Sequence, residues 1–187
     1  VVVVRTGAAG AATGFVAGDD RVVTVAHVLD GTGLAVRSPG GGWTTATALC
    51  RDRDADLALL AAPGTSGAPL RVAPAEQGAP VLLPVVRGTA AAGGPGAAGG
   101  PAAVRGELRR RITAHVATGL GGASRRTLLE LGVNARVGDF GAPVVTADGA
   151  VAGVLFARSV GRAGIAYAED GAALRRLLAA GRCAPPR

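Results

Sequence analysis

Residues 137–145 read VGDFGAPVV, from Val137 through Gly138, Asp139, Phe140, Gly141, Ala142, Pro143 and Val144 to Val145. Gly138 and Gly141 bracket an Asp-Phe pair, so the stretch can turn tightly and expose its backbone N–H groups. After Pro143 an apolar run begins, and Thr146-Ala147-Asp148-Gly149 supplies a hairpin turn, with Asp-Gly offering the positive φ of the primed types. AVAGVLFA, 150–157, then returns as a second apolar strand.

Working outward, the same alternation fills the chain. VVVVR, TGFVAG, RVVTVAHV, GLAVRS, WTTATALC and ADLALLAA follow one another at the close spacing of an antiparallel barrel or sandwich. The Pro- and Gly-rich stretch 63–80 reads as a connection between halves. A second series runs through VLLPVV, VRGELRRRITAHV, GVNARVG, the hairpin around Asp148 and GIAYAED, with low-complexity 89–102 as a loop inside it. AALRRLLAAG near the end places Leu174, Leu177 and Leu178 on one helical face, with Gly181 after it. The fold predicted is all-β: two packed antiparallel barrels, 1–72 and 73–169, followed by a helix and tail over 170–187.

Composition narrows the function. The 187 residues are 49% hydrophobic but only 3% aromatic, so Val, Leu and Ala must build the core. No run approaches the roughly 18 apolar residues of a membrane span. A charged-then-apolar leader and methionine are both missing, which reads as a domain cut from a longer precursor. The net charge of +7 comes entirely from arginine, a pattern of genome bias more than of ligand selection. With scattered arginines and few aromatics to stack bases, nucleic acid is not the expected partner. Cys50 and Cys183 permit one long-range disulfide, suited to an exported protein, or two buried thiols. Together with His27 and His115 they show no metal-site spacing, and no cofactor is expected.

Three signals fall in order along the two halves: His27 in TVAHV at the end of an apolar strand, Asp56 in DADLALL just before one, and GDFGAP. Singly each is weak. Together with ATGFV they resemble the bacterial trypsin-like serine proteases of the chymotrypsin fold, and in particular the periplasmic domain of the membrane-anchored acid-resistance serine proteases of actinobacteria. The resemblance covers nearly the whole chain, least at 88–130. It implies His27 as general base and Asp56 as the acceptor that fixes its tautomer. The N–H groups of Gly138 and Phe140 would form the oxyanion hole. Asn134 would lie at the base of the primary specificity pocket, with Gly153, Phe156 and their neighbours to Ala157 on its wall; an uncharged Asn does not select a basic side chain. The family's disulfide also ends near Cys183, whereas Cys50 stands away from the usual partner position. A membrane anchor is expected in the N-terminal part of the precursor, and the domain outside the cytoplasm.

Phe140 stands where this family carries its serine. It has no nucleophilic atom, and loss of that serine alone costs on the order of a millionfold in turnover. Ser38, Ser66, Ser124 and Ser159 all lie outside the matched motif. The alternative spelling, Asp-Phe-Gly as the magnesium-binding tripeptide of protein kinases, fails because the chain has no lysine. Ala142 and Ala12-Thr13-Gly14 also depart from the family's glycine-rich pattern. The expectation is a pseudoprotease that binds a peptide or protein segment in its cleft; the alternatives are an active serine endopeptidase with a substituted nucleophile, and a structural domain with a closed cleft.

Overall fold

The computed structural model describes residues 1–7, 10–29, 31–87, 100–117 and 123–183. In the N-terminal half, Val-rich segments alternate inward and outward and pair into a seven-stranded antiparallel sheet. Its strands are β1 (Val2–Thr6), β2 (Gly10–Gly18), β3 (Arg21–Val25), β4 (Ala35–Arg37), β5 (Trp43–Thr45), β6 (Thr47–Asp52) and β7 (Leu57–Ala61). Their order is β5-β4-β1-β2-β3-β7-β6. The two end strands are consecutive in the chain, separated only by Ala46, so the sheet must roll round on itself. WTTATALC, read as one run, is thus divided between opposite ends of the sheet. On β5, the Trp43 ring meets the guanidinium groups of Arg5 and Arg37, 4.1 and 5.0 Å from its centroid.

The second half closes fully. β8 (Pro80–Arg87), β9 (Gly100–Ala117), β10 (Ala123–Gly132), β11 (Pro143–Thr146), β12 (Val151–Arg158) and β13 (Ile165–Asp170) form a barrel in the order β10-β13-β12-β11-β8-β9. Leu83, Val85, Leu129, Leu131, Val144 and Leu155 fill it. The fold is therefore two β units with a terminal helix, α1 (Gly171–Ala180). Asp170 caps that helix by accepting from the Ala172 N–H at 2.7 Å. Leu174 and Leu177 carry the helix onto the cluster between the halves, beside Phe15, Leu57 and Leu59. A disulfide joins Cys50 to Cys183, with Cα atoms 4.6 Å apart. The tail is further held by the Cys183 N–H donating to Leu49 O at 3.0 Å.

Some local expectations give way. GVNARVG is not a strand: β10 ends at Gly132, and residues 133–142 form the irregular segment that carries the site. The 146–150 turn has positive φ only at Gly149 (80°), so it is not a primed turn with two such residues; Thr146 instead pairs its N–H with Ala150 O at 2.9 Å across a longer loop. Of the expected loop at 89–102, residues 100–102 belong to β9 and 89–99 lie outside the described residues.

Candidate active site

His27 sits in a 3-10 turn, Ala26–Leu29, immediately after β3. Asp56 is the last residue before β7 and adopts a left-handed backbone, φ 52°, a region that Asp tolerates better than most side chains. That conformation aims the carboxylate back at the turn. Oδ1 accepts the His27 backbone N–H at 2.8 Å, and Oδ2 bonds Nδ1 of the ring at 2.7 Å. The Ala26 N–H donates to Asp56 O at 3.0 Å, so backbone and side chain together fix the pair. A carboxylate only accepts, so Nδ1 carries the proton and Nε2 is the ring's basic nitrogen.

The GDFG segment approaches from the second half. Gly138 and Gly141 have φ of 97° and 89°. A side chain at Gly141 would run into Thr13 O and Thr24 Oγ1, so glycine is required there by space as well as by conformation. Thr13 of β2 clamps the turn from the other half. Its N–H donates to Phe140 O at 3.0 Å, and its hydroxyl donates to Gly138 O at 2.8 Å. The Asp139 N–H donates to Arg136 O at 3.1 Å. With those groups committed, the N–H groups of Gly138 and Phe140 have no protein acceptor among the described residues.

Asp139 is 1% exposed. Arg87 of β8 meets it with a two-pronged ion pair, Nε to Oδ1 at 3.0 Å and Nη2 to Oδ2 at 2.6 Å. The Arg136 N–H adds a third bond at 2.8 Å. Its hydrogen bond with Asp139 holds the Arg87 guanidinium above its ordinary pKa. Arg87 also reaches Asn134 O at 3.2 Å, tying both ends of the irregular segment to one strand.

Phe140 packs against the core of the closed barrel and the cluster between the halves, and its ring stands edge-on to His27, 6.0 Å between centroids. The serines are placed elsewhere: the Ser124 hydroxyl donates to Asp54 O at 3.1 Å, and Ser159 Oγ accepts from the Arg162 N–H at 3.1 Å. Ser38 lies between β4 and β5, and Ser66 in the connector.

Residues 12–154 match the family of trypsin-like peptidase domains. The chain belongs to that family. It is 33% identical to the serine protease Rv3671c of Mycobacterium tuberculosis over 150 residues, covering 79% of this chain and 36% of that protein. The chain thus spans about a third of the length of the curated relatives it matches. The crystal structure of the active form of the Rv3671c protease superposes with a TM-score of 0.85 at 28% identity, covering 100% of this chain and 82% of that one. The protease domain of MamO from Magnetospirillum magneticum shares the fold, with a TM-score of 0.75, 22% identity and coverage of 94% and 93%.

Within this trypsin-like domain, the remaining sequence-derived positions divide. Asn134 is exposed, with its side-chain oxygen 3.7 Å from where a Cβ on Gly164 would stand. Gly153 is buried in the barrel wall: it pairs with Val144 on one side and Asp170 on the other, and a side chain there would meet Glu169 O and Leu129. The Phe156 ring joins the cluster between the halves, with the Arg126 guanidinium 5.1 Å from its centroid. Behind Asp56, Arg126 pairs with Glu169 at 2.8 Å, both buried. Burial pushes the Glu169 carboxyl up to about 7 despite Arg126, and the charges of Asp56 and Asp52 add to that. Among the described residues, no cluster of His, Cys, Asp and Glu could hold a metal, and no helix is long and apolar enough to cross a membrane.

Proposed function

We propose that this trypsin-like domain no longer hydrolyses peptide bonds and serves outside the cytoplasm as a peptide-binding or regulatory domain. The observation that carries the reading is Phe140, set edge-on to His27 where the family's attacking serine would stand. Phe140 offers the imidazole no hydroxyl to deprotonate, so the family's nucleophilic step lacks its attacking group. The surrounding parts support a retained binding cleft. The His27–Asp56 bonds, the two uncommitted N–H groups and the clamped turn are those of a site that can still cradle a carbonyl.

An extended peptide has an edge to join. β11 pairs with β12 only as far as Val154, and Leu155 exchanges bonds with Gly141 and Ala142. The Ser159 N–H turns towards β13, donating to Ile165 O at 2.8 Å. By the two-residue alternation of a strand, Arg158 presents its N–H and C=O on the opposite side, where a ligand strand would add. The disulfide supports an oxidising location.

The intact His27–Asp56 pair favours one second reading, an active serine endopeptidase with a substituted nucleophile. Treating the native chain and Phe140→Ser with a serine-directed aryl phosphonate separates them. Labelling of Phe140→Ser alone is expected. Labelling of the native chain would overturn the inactive reading, and labelling of neither would favour a structural domain with a closed cleft.

A further inference from the structure

Glu130, Tyr167 and Ala157 lie side by side across β10, β13 and β12, on the face turned away from the barrel core. The loop 159–164 folds over this face. From it Arg162 donates through Nη2 to Glu130 Oε2 at 2.8 Å and to the Tyr167 hydroxyl oxygen at 2.6 Å. Arg110 also pairs with Glu130, at 3.1 Å, so the buried carboxylate faces two guanidinium groups and is held below the usual range by them. The hydrogen-bonding ledger of the cluster is unbalanced. Because the Tyr167 oxygen accepts from Arg162, its own proton is left to donate, and it has no acceptor among the described residues. Nε and Nη1 of Arg162 likewise have no acceptor there, and the side chain is 51% exposed.

These donors stand beside the β12 edge described above, since Tyr167 pairs with Ala157, the residue before Arg158. Asn134 lies against Gly164, which has φ 72° and no side chain to fill the space between them. Arg136 and Arg158, both exposed, stand on the segments to either side. The carboxylates of this wall are already committed, Glu130 to its two arginines and Asp139 to Arg87, while Glu107 at its far end faces Arg109 at 3.7 Å. What is left over is positive charge and N–H and O–H donors, which suits an anionic acceptor and repels a lysine or arginine side chain.

We propose that this wall is a subsite for an acidic side chain of a bound peptide, with Arg162 supplying the ion pair and Tyr167 a hydroxyl donor. The inference rests on the peptide-binding reading above and names its ligand class.

The test uses the native chain, immobilised and offered pools of end-blocked nonapeptides with Glu, Gln or Lys fixed at the centre. A further pool has a free carboxyl terminus and no acidic side chain. Retention is read by mass spectrometry. The Glu pool should be retained roughly tenfold over Gln, the scale of one charge-assisted hydrogen bond at a partly exposed site, and Lys least. Tyr167→Phe should lower Glu retention severalfold and leave Gln retention unchanged. Arg162→Gln, which can still donate to Glu130, should erase most of the preference. Equal retention of Glu and Gln, or a preference untouched by both variants, would overturn the subsite. Retention of the free-terminus pool alone would also overturn it, moving the carboxylate to the chain end. Retention of no pool at all would instead overturn the peptide-binding reading, and this inference with it.

Discussion

Replacing Arg87 with methionine removes the guanidinium that holds Asp139 and leaves the aliphatic stem largely in place. The carboxylate it abandons is 2% exposed and keeps only the Arg136 N–H, so a buried charge loses its counter-ion. Such losses cost about 3–5 kcal/mol, and the lower end applies because Arg87 itself is 29% exposed and screened by solvent. For a chain of 187 residues the unfolding entropy is about 0.4 kcal/mol/K, so a loss near 3 kcal/mol lowers Tm by about 8 °C. Thermal unfolding followed by far-UV circular dichroism measures it. The decisive comparison is with Asp139→Asn and the double variant. If the penalty is that of an orphaned charge, the double variant should be more stable than the sum of the single losses by at least about 1 kcal/mol. A Tm drop under about 2 °C, or strict additivity, would refute the claim that this pair holds the turn. In the Phe140→Ser background, Arg87→Met should also abolish phosphonate labelling, since the two N–H groups depend on that turn.

The Cys50–Cys183 bridge spans 133 residues, so in the chain-entropy view its reduction costs on the order of 5 kcal/mol, or about 13 °C in Tm. Melting with and without reductant reads it, and a shift of only a few degrees would mean that the unfolded chain is already compact. Glu169 gives a pH dependence with a definite sign. Its carboxyl rises from 4.5 to about 7 on folding, so the folded state holds the proton more tightly. Its contribution is fully present below pH 4.5 and is lost as pH rises through 7, on the order of 3 kcal/mol. Urea midpoints between pH 4.5 and 8 should fall in native protein and flatten in Glu169→Gln; a midpoint rising across that window would contradict the assignment.

His27, Asp56 and the GDFG turn were legible because each sits at a strand end with a local pattern of its own. The Val- and Leu-rich strands were legible for the same reason, since period-two alternation is written in neighbouring residues. Arg87 and Thr13 were not. Their roles come from pairing with Asp139, Gly138 and Phe140, far along the chain, and nothing near them in sequence distinguishes them from other arginines and threonines. GVNARVG alternates like a strand, yet Asp139 draws the Arg136 N–H out of any ladder to serve its own buried carboxylate. Gly153 shows the same limit: its position along β12 was apparent, but its partners on the two edges come from β11 and β13.

Trp43, the protein's one tryptophan, lies on β5 in contact with two arginines, within the N-terminal sheet. Excited at the red edge, where Tyr167 of the closed barrel does not absorb, its emission is a private signal from that half. Fluorescence and circular dichroism melts that coincide would show the two halves unfolding as one cooperative unit. A lag between them would put a number on how firmly the seam between them is fastened.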